Sequence, residues 1–325
     1  MLKSVLFFAI GLVLLIKGGD WFVDGATGIA KRLRLPDIVV GATVVSIGTT
    51  LPEVMVSTTG ALAGSGAMAY GNAIGSIICN PALIAAISIT VNPGPVNVKS
   101  MKTPVIFFFG SAALYCVASY VLGEFPRWLG FVMLSVFLCY TILTVRNGLK
   151  NPDQGSYEEE EEESKEKPLW MELLLLVVGA AVIAVGADLL VDHGQIIARE
   201  LGVPETVVAL LFVALGTSLP ELVTTLTSLK KGRASLGVGN VIGANVFNLV
   251  LVSGVAVSLA PFEVPCQNFL LNTGLNMSLV LEIPVMLGVM SLMTIPALLT
   301  KKLHRWQGVA LLCIYAAFCV CQFVL

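Results

Sequence analysis

Gly48-Thr49-Thr50-Leu51-Pro52-Glu53 returns as Gly216-Thr217-Ser218-Leu219-Pro220-Glu221, and each copy lies inside a long apolar run. An ionised carboxylate at the centre of a membrane helix costs about 2.5–3.5 kcal/mol, so an intramembrane glutamate is by default part of a functional site. A single such residue can also be a protonated or hydrogen-bonded packing group. Two copies of one motif favour a shared site.

The surrounding composition decides the class. Of 325 residues 56% are hydrophobic and 12% charged, with a mean hydropathy of +0.90, which is far from a soluble globular domain. Apolar stretches of about 20 residues recur, the length a helix needs to cross a bilayer. The alternating segments of a membrane β-barrel do not appear. The sequence predicts an all-α polytopic membrane protein with helices near 4–30, 37–62, 67–90, 104–122, 127–146, 170–197, 205–229, 235–260, 277–299 and 305–324. That makes ten transmembrane helices, arranged as a first five-helix repeat (1–146), an acidic linker (147–168) and a second five-helix repeat (169–325). The linker carries Gly, Pro and six consecutive glutamates, Glu158 to Glu163, and reads as a solvated, disordered segment. It lacks the turn glycine and spaced oxygens of a calcium loop. The seven cysteines lie mostly in apolar spans without a Cys-x-x-Cys pair and read as packing residues. The N-terminal apolar run continues through Lys17 and Asp20 and reads as a retained first helix.

Basic residues orient the spans. With the N-terminus outside, the cytoplasmic loops hold fifteen of the nineteen: Lys31, Arg32, Arg34, Lys99, Lys102, Arg146, Lys150, Lys165, Lys167, Lys230, Lys231, Arg233, Lys301, Lys302 and Arg305. The opposite side keeps Lys3, Arg127 and Arg199. The positive-inside rule then makes both termini extracytoplasmic and the linker cytoplasmic.

Sliding the chain by 168 residues aligns Gly11 to Ala86 with Gly179 to Gly254 without a gap, and 25 of 76 positions are identical. They include Asp20/Asp188, Asp24/Asp192, Pro36/Pro204, Asn72/Asn240, Gly75/Gly243 and Asn80/Asn248 as well as the motif itself. Five helices per repeat is an odd number, so the second copy enters from the opposite side. The repeats are inverted about an axis in the membrane plane, an arrangement whose substrate site lies near the midplane between them.

The motif has the chemistry for such a site. Pro52 and Pro220 cannot donate to the carbonyls of Gly48 and Gly216, so the second helix of each repeat should break there. Broken backbone at membrane depth survives only where it is buried in protein or lines a polar cavity. Thr49 and Glu53 share a helix face, as do Thr217 and Glu221, with Thr50 and Ser218 beside them. On the third helix Asn72, Ser76 and Asn80 form a polar stripe, matched by Asn240, Ala244 and Asn248. Gly71, Gly75, Gly239 and Gly243 permit close helix approach. The set offers oxygen ligands only, which suits calcium or sodium and not softer metals. Asp20, Asp24, Asp188, Asp192 and Glu282 read as interfacial or capping groups, and His193 and His304 show no metal spacing.

On these residues, together with Gly71 to Ser76 and Gly239 to Ala244, the chain resembles a sodium/calcium exchanger of the calcium/cation antiporter superfamily, over essentially its whole length. Its compact size is similar to prokaryotic members, which implies a cytoplasmic membrane. The resemblance implies alternating access, with the first and sixth helices sliding on a core of the four repeat helices. It implies Glu53 and Glu221 as shared calcium carboxylates, and Thr49, Thr50, Thr217 and Ser218 as hydroxyl or carbonyl ligands. Ser46 and Ala214 would give backbone carbonyls, and Ser76, Asn80 and Asn248 would line the flanking sodium positions. Calcium and sodium are then substrates, with the bilayer as surroundings; no cofactor, enzymatic activity, nucleic acid or obligate protein partner is expected. Three departures stand out. Asn248 occupies a position where many exchangers have Asp, so the site carries at most −2; one calcium or two sodium ions neutralise it, and three sodium ions leave excess positive charge. Ala244 replaces the hydroxyl expected opposite Ser76. Ile77 and Pro81 interrupt the usual Gly-Ser-Asn-x-x-Asn ending of the first repeat. Rival readings are a proton/cation antiporter, whose relatives tend to carry Gly-Asn-Ala-x-Glu instead, and a passive cation channel.

Overall fold

The computed structural model describes residues 2–150, 168–201, 216–265 and 276–324. Ala214, Cys266, the six glutamates of the linker and the first part of the helix expected at 205–229 lie outside the described residues. The first repeat comprises α1 (Leu2–Leu33), a bent α2 (Asp37–Thr49 with Leu51–Leu62), α3 (Gly66–Val91), α4 (Val98–Leu122) and α5 (Arg127–Lys150). The second comprises α6 (Leu169–Glu200), the described part of α7 (Leu219–Lys230), α8 (Ala234–Leu259), α9 (Ser278–Thr300) and α10 (Arg305–Val324). Among the described residues eight single helices and one bent pair are long and apolar enough to span a membrane, and α7 completes the ten.

Two boundaries differ from the sequence reading by four residues or more. α4 starts at Val98, six residues before Pro104, because the Asn97 side chain accepts the Ser100 N–H at 3.2 Å and caps the helix. α5 runs to Lys150, four residues past Arg146, where the fifth helix was expected to end.

Polarity is inverted relative to a soluble protein. Leu12, Val13 and Ile16 of α1, Phe131, Leu138 and Ile142 of α5, and Leu173, Leu174 and Val177 of α6 are exposed, a surface that lipid would cover. Glu53, Asn80, Glu221, Asn240, Asn245 and Asn248 are wholly buried.

The inverted symmetry is visible in local geometry. Thr50 interrupts α2 with φ −88°, ψ −1°, and Ser218 stands before Leu219 with φ −90°, ψ 4°. The turns from α2 to α3 and from α7 to α8 end alike on left-handed glycines, Gly64 (φ 81°) and Gly232 (φ 72°). In each, the next residue donates its N–H back to a carbonyl five residues earlier, Ser65 to Gly60 and Arg233 to Ser228, closing a Schellman motif.

Short ladders join the repeats at both ends of the bundle. β1 (Gly94–Pro95), following α3, pairs antiparallel with β4 (Lys302–Leu303), following α9. β2 (Glu124–Phe125), following α4, pairs with β3 (Phe262–Glu263), following α8. Only a topology that returns the chain after α3 and α9 to one face, and after α4 and α8 to the other, permits both. α1 and α6 pack through glycine in reciprocal fashion: a Cβ on Gly11 would lie 2.9 Å from the Gly186 carbonyl oxygen, and one on Gly186 would lie 2.9 Å from that of Gly11. The pair thus approaches at backbone distance over much of its length.

Candidate cation site

The site forms where α2, α3, α7 and α8 meet. α2 bends by 45° between Thr49 and Leu51, and Pro52 and Pro220 sit in the first turn of the limbs that follow, where a missing N–H costs least. Glu53 and Glu221 occupy the first turns of those limbs, the positive end of each helix dipole, which favours a carboxylate.

α8 lies so close to α2 that a Cβ on Gly239 would overlap the Ile38 carbonyl oxygen, and one on Gly41 would overlap that of Leu236. That approach brings the broken helix of one repeat against the asparagine stripe of the other. The Thr49 hydroxyl donates to Asn240 Oδ1 at 3.1 Å, and the symmetry-matched Thr217 hydroxyl donates to Asn72 Oδ1 at 3.2 Å. Asn72 Nδ2 in turn donates to Ser57 Oγ at 2.8 Å and to the Glu53 carbonyl at 3.2 Å. Asn72 and Asn240, noted in the sequence only as part of a stripe, therefore hold the site together.

The expected ligands fall into three groups. Glu53, Glu221, Thr50, Asn80 and Asn248 are at most 1% exposed, and Glu53 Oε1 and Oε2, Glu221 Oε1 and Oε2, Thr50 Oγ1, Asn80 Oδ1 and Asn248 Oδ1 have no hydrogen-bond partner. Seven buried oxygens without a donor are a heavy desolvation cost unless something positive meets them. Thr49, Thr217, Ser76 and Ser218 form the second group, already engaged across the repeats; Ser218 Oγ donates to Ser76 Oγ at 3.3 Å. The Ser76 hydroxyl approaches the Glu53 carboxylate, and the Thr49 and Thr50 hydroxyls approach that of Glu221, without completing a hydrogen bond. Ser46 is the third case. Its carbonyl accepts the Thr50 N–H at 3.0 Å, so one lone pair remains for an ion. Its hydroxyl is turned to Gly41 O at 2.8 Å and Asn240 O at 3.0 Å.

Asn80 and Asn248 each open a π-helical turn, Asn80–Ala85 and Asn248–Val252. Such turns concentrate at functional sites, where they re-aim side chains and loosen the carbonyl ladder. Ala244 has a direct consequence. Where Ser76 meets Ser218, Ala244 offers nothing to the matching Thr50, whose hydroxyl is left bare. Asn245 was not expected as a participant, yet it bonds Asn80. Its sequence signal was a mismatch, since the repeat alignment puts Ile77 in its place.

Chemically the arrangement is two carboxylates, hydroxyls, amide oxygens and carbonyls. Among the described residues no cluster of three His, Cys, Asp or Glu exists, so the negative charge rests on Glu53 and Glu221. Hard oxygens from several short-reach groups suit ions of the size of calcium or sodium.

The profile of the sodium/calcium exchanger protein family matches residues 3–146 and 171–324. An uncharacterised membrane protein of Methanocaldococcus jannaschii is 33% identical over 318 residues, covering 97% of this chain and 96% of its own. The sodium/calcium exchanger MaX1 of Methanosarcina acetivorans is 29% identical over 354 residues, 98% of each chain. A solved structure of the sodium-calcium exchanger NCX_Mj soaked with sodium and strontium superposes with a TM-score of 0.79 at 31% identity, over 97% of each chain.

Proposed function

The chain belongs to the sodium/calcium exchanger protein family, and from that premise we propose that it exchanges sodium for calcium by alternating access. The two ions take turns on the oxygens around Glu53 and Glu221. The observation that carries this reading is the set of seven buried, partnerless oxygens contributed by both repeats. Two carboxylates supply −2 at most, so calcium and a full sodium load exclude one another by charge as well as by shared ligands.

In this reading both termini lie outside and residues 147–168 in the cytoplasm of a prokaryotic cell. Supporting it, Arg32 and Glu172 (3.2 Å), Lys231 and Asp24 (2.7 Å), and Arg233 and Asp37 (3.4 Å) gather basic loop residues at the end of the bundle assigned to the cytoplasm.

Counterflow is the test. Proteoliposomes loaded with sodium and diluted into sodium-free buffer should accumulate calcium, and equal sodium on both sides should stop the accumulation. Calcium flux indifferent to the sodium gradient would mean a channel or a different coupling ion.

A further inference from the structure

An asparagine that binds a cation must present its oxygen, because its NH2 group would be repelled. The two ends of a carboxamide are nearly the same shape, so only hydrogen-bond partners of fixed polarity decide which end faces the ion. Asn80 has such a partner. Its Nδ2 donates to Asn245 Oδ1 at 3.0 Å, while its own Oδ1 is buried and has no hydrogen-bond partner.

The polarity is set one step further back. Asn245 Nδ2 lies 3.2 Å from the Ile77 carbonyl oxygen and 3.1 Å from Met290 Sδ. A backbone carbonyl can only accept, so Asn245 must turn its NH2 toward Ile77 and its oxygen toward Asn80. Flipping Asn245 would set oxygen against oxygen at Ile77 and NH2 against NH2 at Asn80. Both asparagines are wholly buried, so water is not at hand to relieve either clash.

We infer that Asn245 is a positioning residue for ion binding: it fixes the amide of Asn80 so that Oδ1, and not the NH2 group, meets the cation. The inference rests on the reading of the site as a cation site. Asn248, the symmetry partner of Asn80, has no equivalent, because Ile77 occupies the position matching Asn245 and both ends of the Asn248 amide lack partners. The chain thus presets one of its two site amides and leaves the other free to turn.

The bland alternative is that Asn245 only packs α8 against α3 and α9. A cycle of four full-length proteins separates the two: unsubstituted, Asn245→Leu, Asn80→Asp, and both together. A carboxylate has oxygen at both ends, so with Asp at position 80 nothing remains to be oriented, and Asn245 Oδ1 then faces a second acceptor instead of a donor. Sodium-driven calcium uptake is measured in proteoliposomes, with KM and maximal rate for each ion. Asn245→Leu should raise the calcium KM or the half-saturating sodium concentration about tenfold, as loss of an outer-shell partner typically does, with the maximal rate within about twofold. In the Asn80→Asp background the same substitution should not raise KM, since it removes only an oxygen that faces another oxygen. An unchanged KM in Asn245→Leu, or an equal rise in both backgrounds, would overturn the inference in favour of packing. Should Asn80→Asp not transport, the same cycle is read from the rise in melting temperature with added calcium or sodium in detergent, under the same two criteria. The unsubstituted protein reports separately on exchange itself: if it shows no sodium-driven uptake, the functional reading fails, whatever the variants do.

Discussion

The two repeats are nearly the same in backbone and unlike in wiring. Thr50 breaks α2 and Ser218 precedes the described part of α7 at the same dihedral angles, Gly64 and Gly232 close the same turn, and Thr49 and Thr217 reach across to matching asparagines. The polar partners then diverge. Ser76 receives the Ser218 hydroxyl, whereas Ala244 leaves Thr50 bare. Asn72 uses both ends of its amide, whereas Asn240 accepts from Ser46 and Thr49 and keeps an unpartnered Nδ2. Outside the site, Lys231 bridges Asp24 at 2.7 Å and reaches Asp20 at 3.8 Å. Its counterpart is Ala63, and the matching Asp188 and Asp192 make no ion pair among the described residues. Symmetry is kept where the chain must offer equivalent paths to either side. It is lost where individual oxygens are assigned to ions and where one end of the bundle is fastened.

The carboxylates test the equivalence most severely. If Glu53 and Glu221 are halves of one site, Glu53→Gln and Glu221→Gln should each lower sodium-driven calcium uptake by about 100-fold or more, equivalent to roughly 3 kcal/mol. A variant that keeps a tenth of the uptake while its mate loses all would show that one repeat dominates.

The close crossing of α2 on α8 comes next. Gly239→Ala places a methyl group on the Ile38 carbonyl, and Gly41→Ala does the same to Leu236. Each should cost about 1–3 kcal/mol of overpacking strain and lower the melting temperature in detergent, the pair together less than additively because they relieve one contact. Full additivity would show two independent strains.

The smallest effect concerns the one-sided tie. Lys231 and its partners are partly exposed, so the bridge is worth no more than about 1 kcal/mol. Lys231→Met should change the ratio of calcium KM values measured from the two membrane faces by roughly two- to fivefold. Ala63→Lys, which supplies the repeat-matched counterpart of Lys231, should move that ratio in the same direction, since its partners by symmetry are Asp188 and Asp192 at the opposite end. Opposed shifts would separate Lys231 from any bias between the two faces.

Much of this was legible in the chain. Hydropathy marked the spans, the repeat alignment gave their inversion, and Pro52 announced the bend in α2, because each of these is a local or self-comparing property. The helix start at Val98 was hidden by Lys99, Lys102 and Pro104, which read as loop until the Asn97 cap is seen. What could not be read was which oxygens are already spent. Thr49 and Thr50 are neighbours of the same chemistry, yet one is bonded to Asn240 and the other bare, and that follows from a cross-repeat contact that no local pattern encodes. Asn245 was hidden for the same reason: beside Ile77 it looked like a lapse in the repeat.

The two end ladders, β1 with β4 and β2 with β3, carry a consequence for ancestry. Each joins a loop of one repeat to a loop of the other, and a two-fold rotation exchanges the ladders. Together with the Thr49–Asn240 and Thr217–Asn72 bonds, they make the interface isologous, the kind that closes a homodimer. Geometrically the molecule is a dimer of five-helix subunits inserted in opposite orientations and joined by the chain between α5 and α6. Covalent continuity then settles which half faces which way, and it frees each half to mutate alone. Ala244, Asn245 and Lys231 are the kind of change that an identical pair of subunits could never have made on one side only.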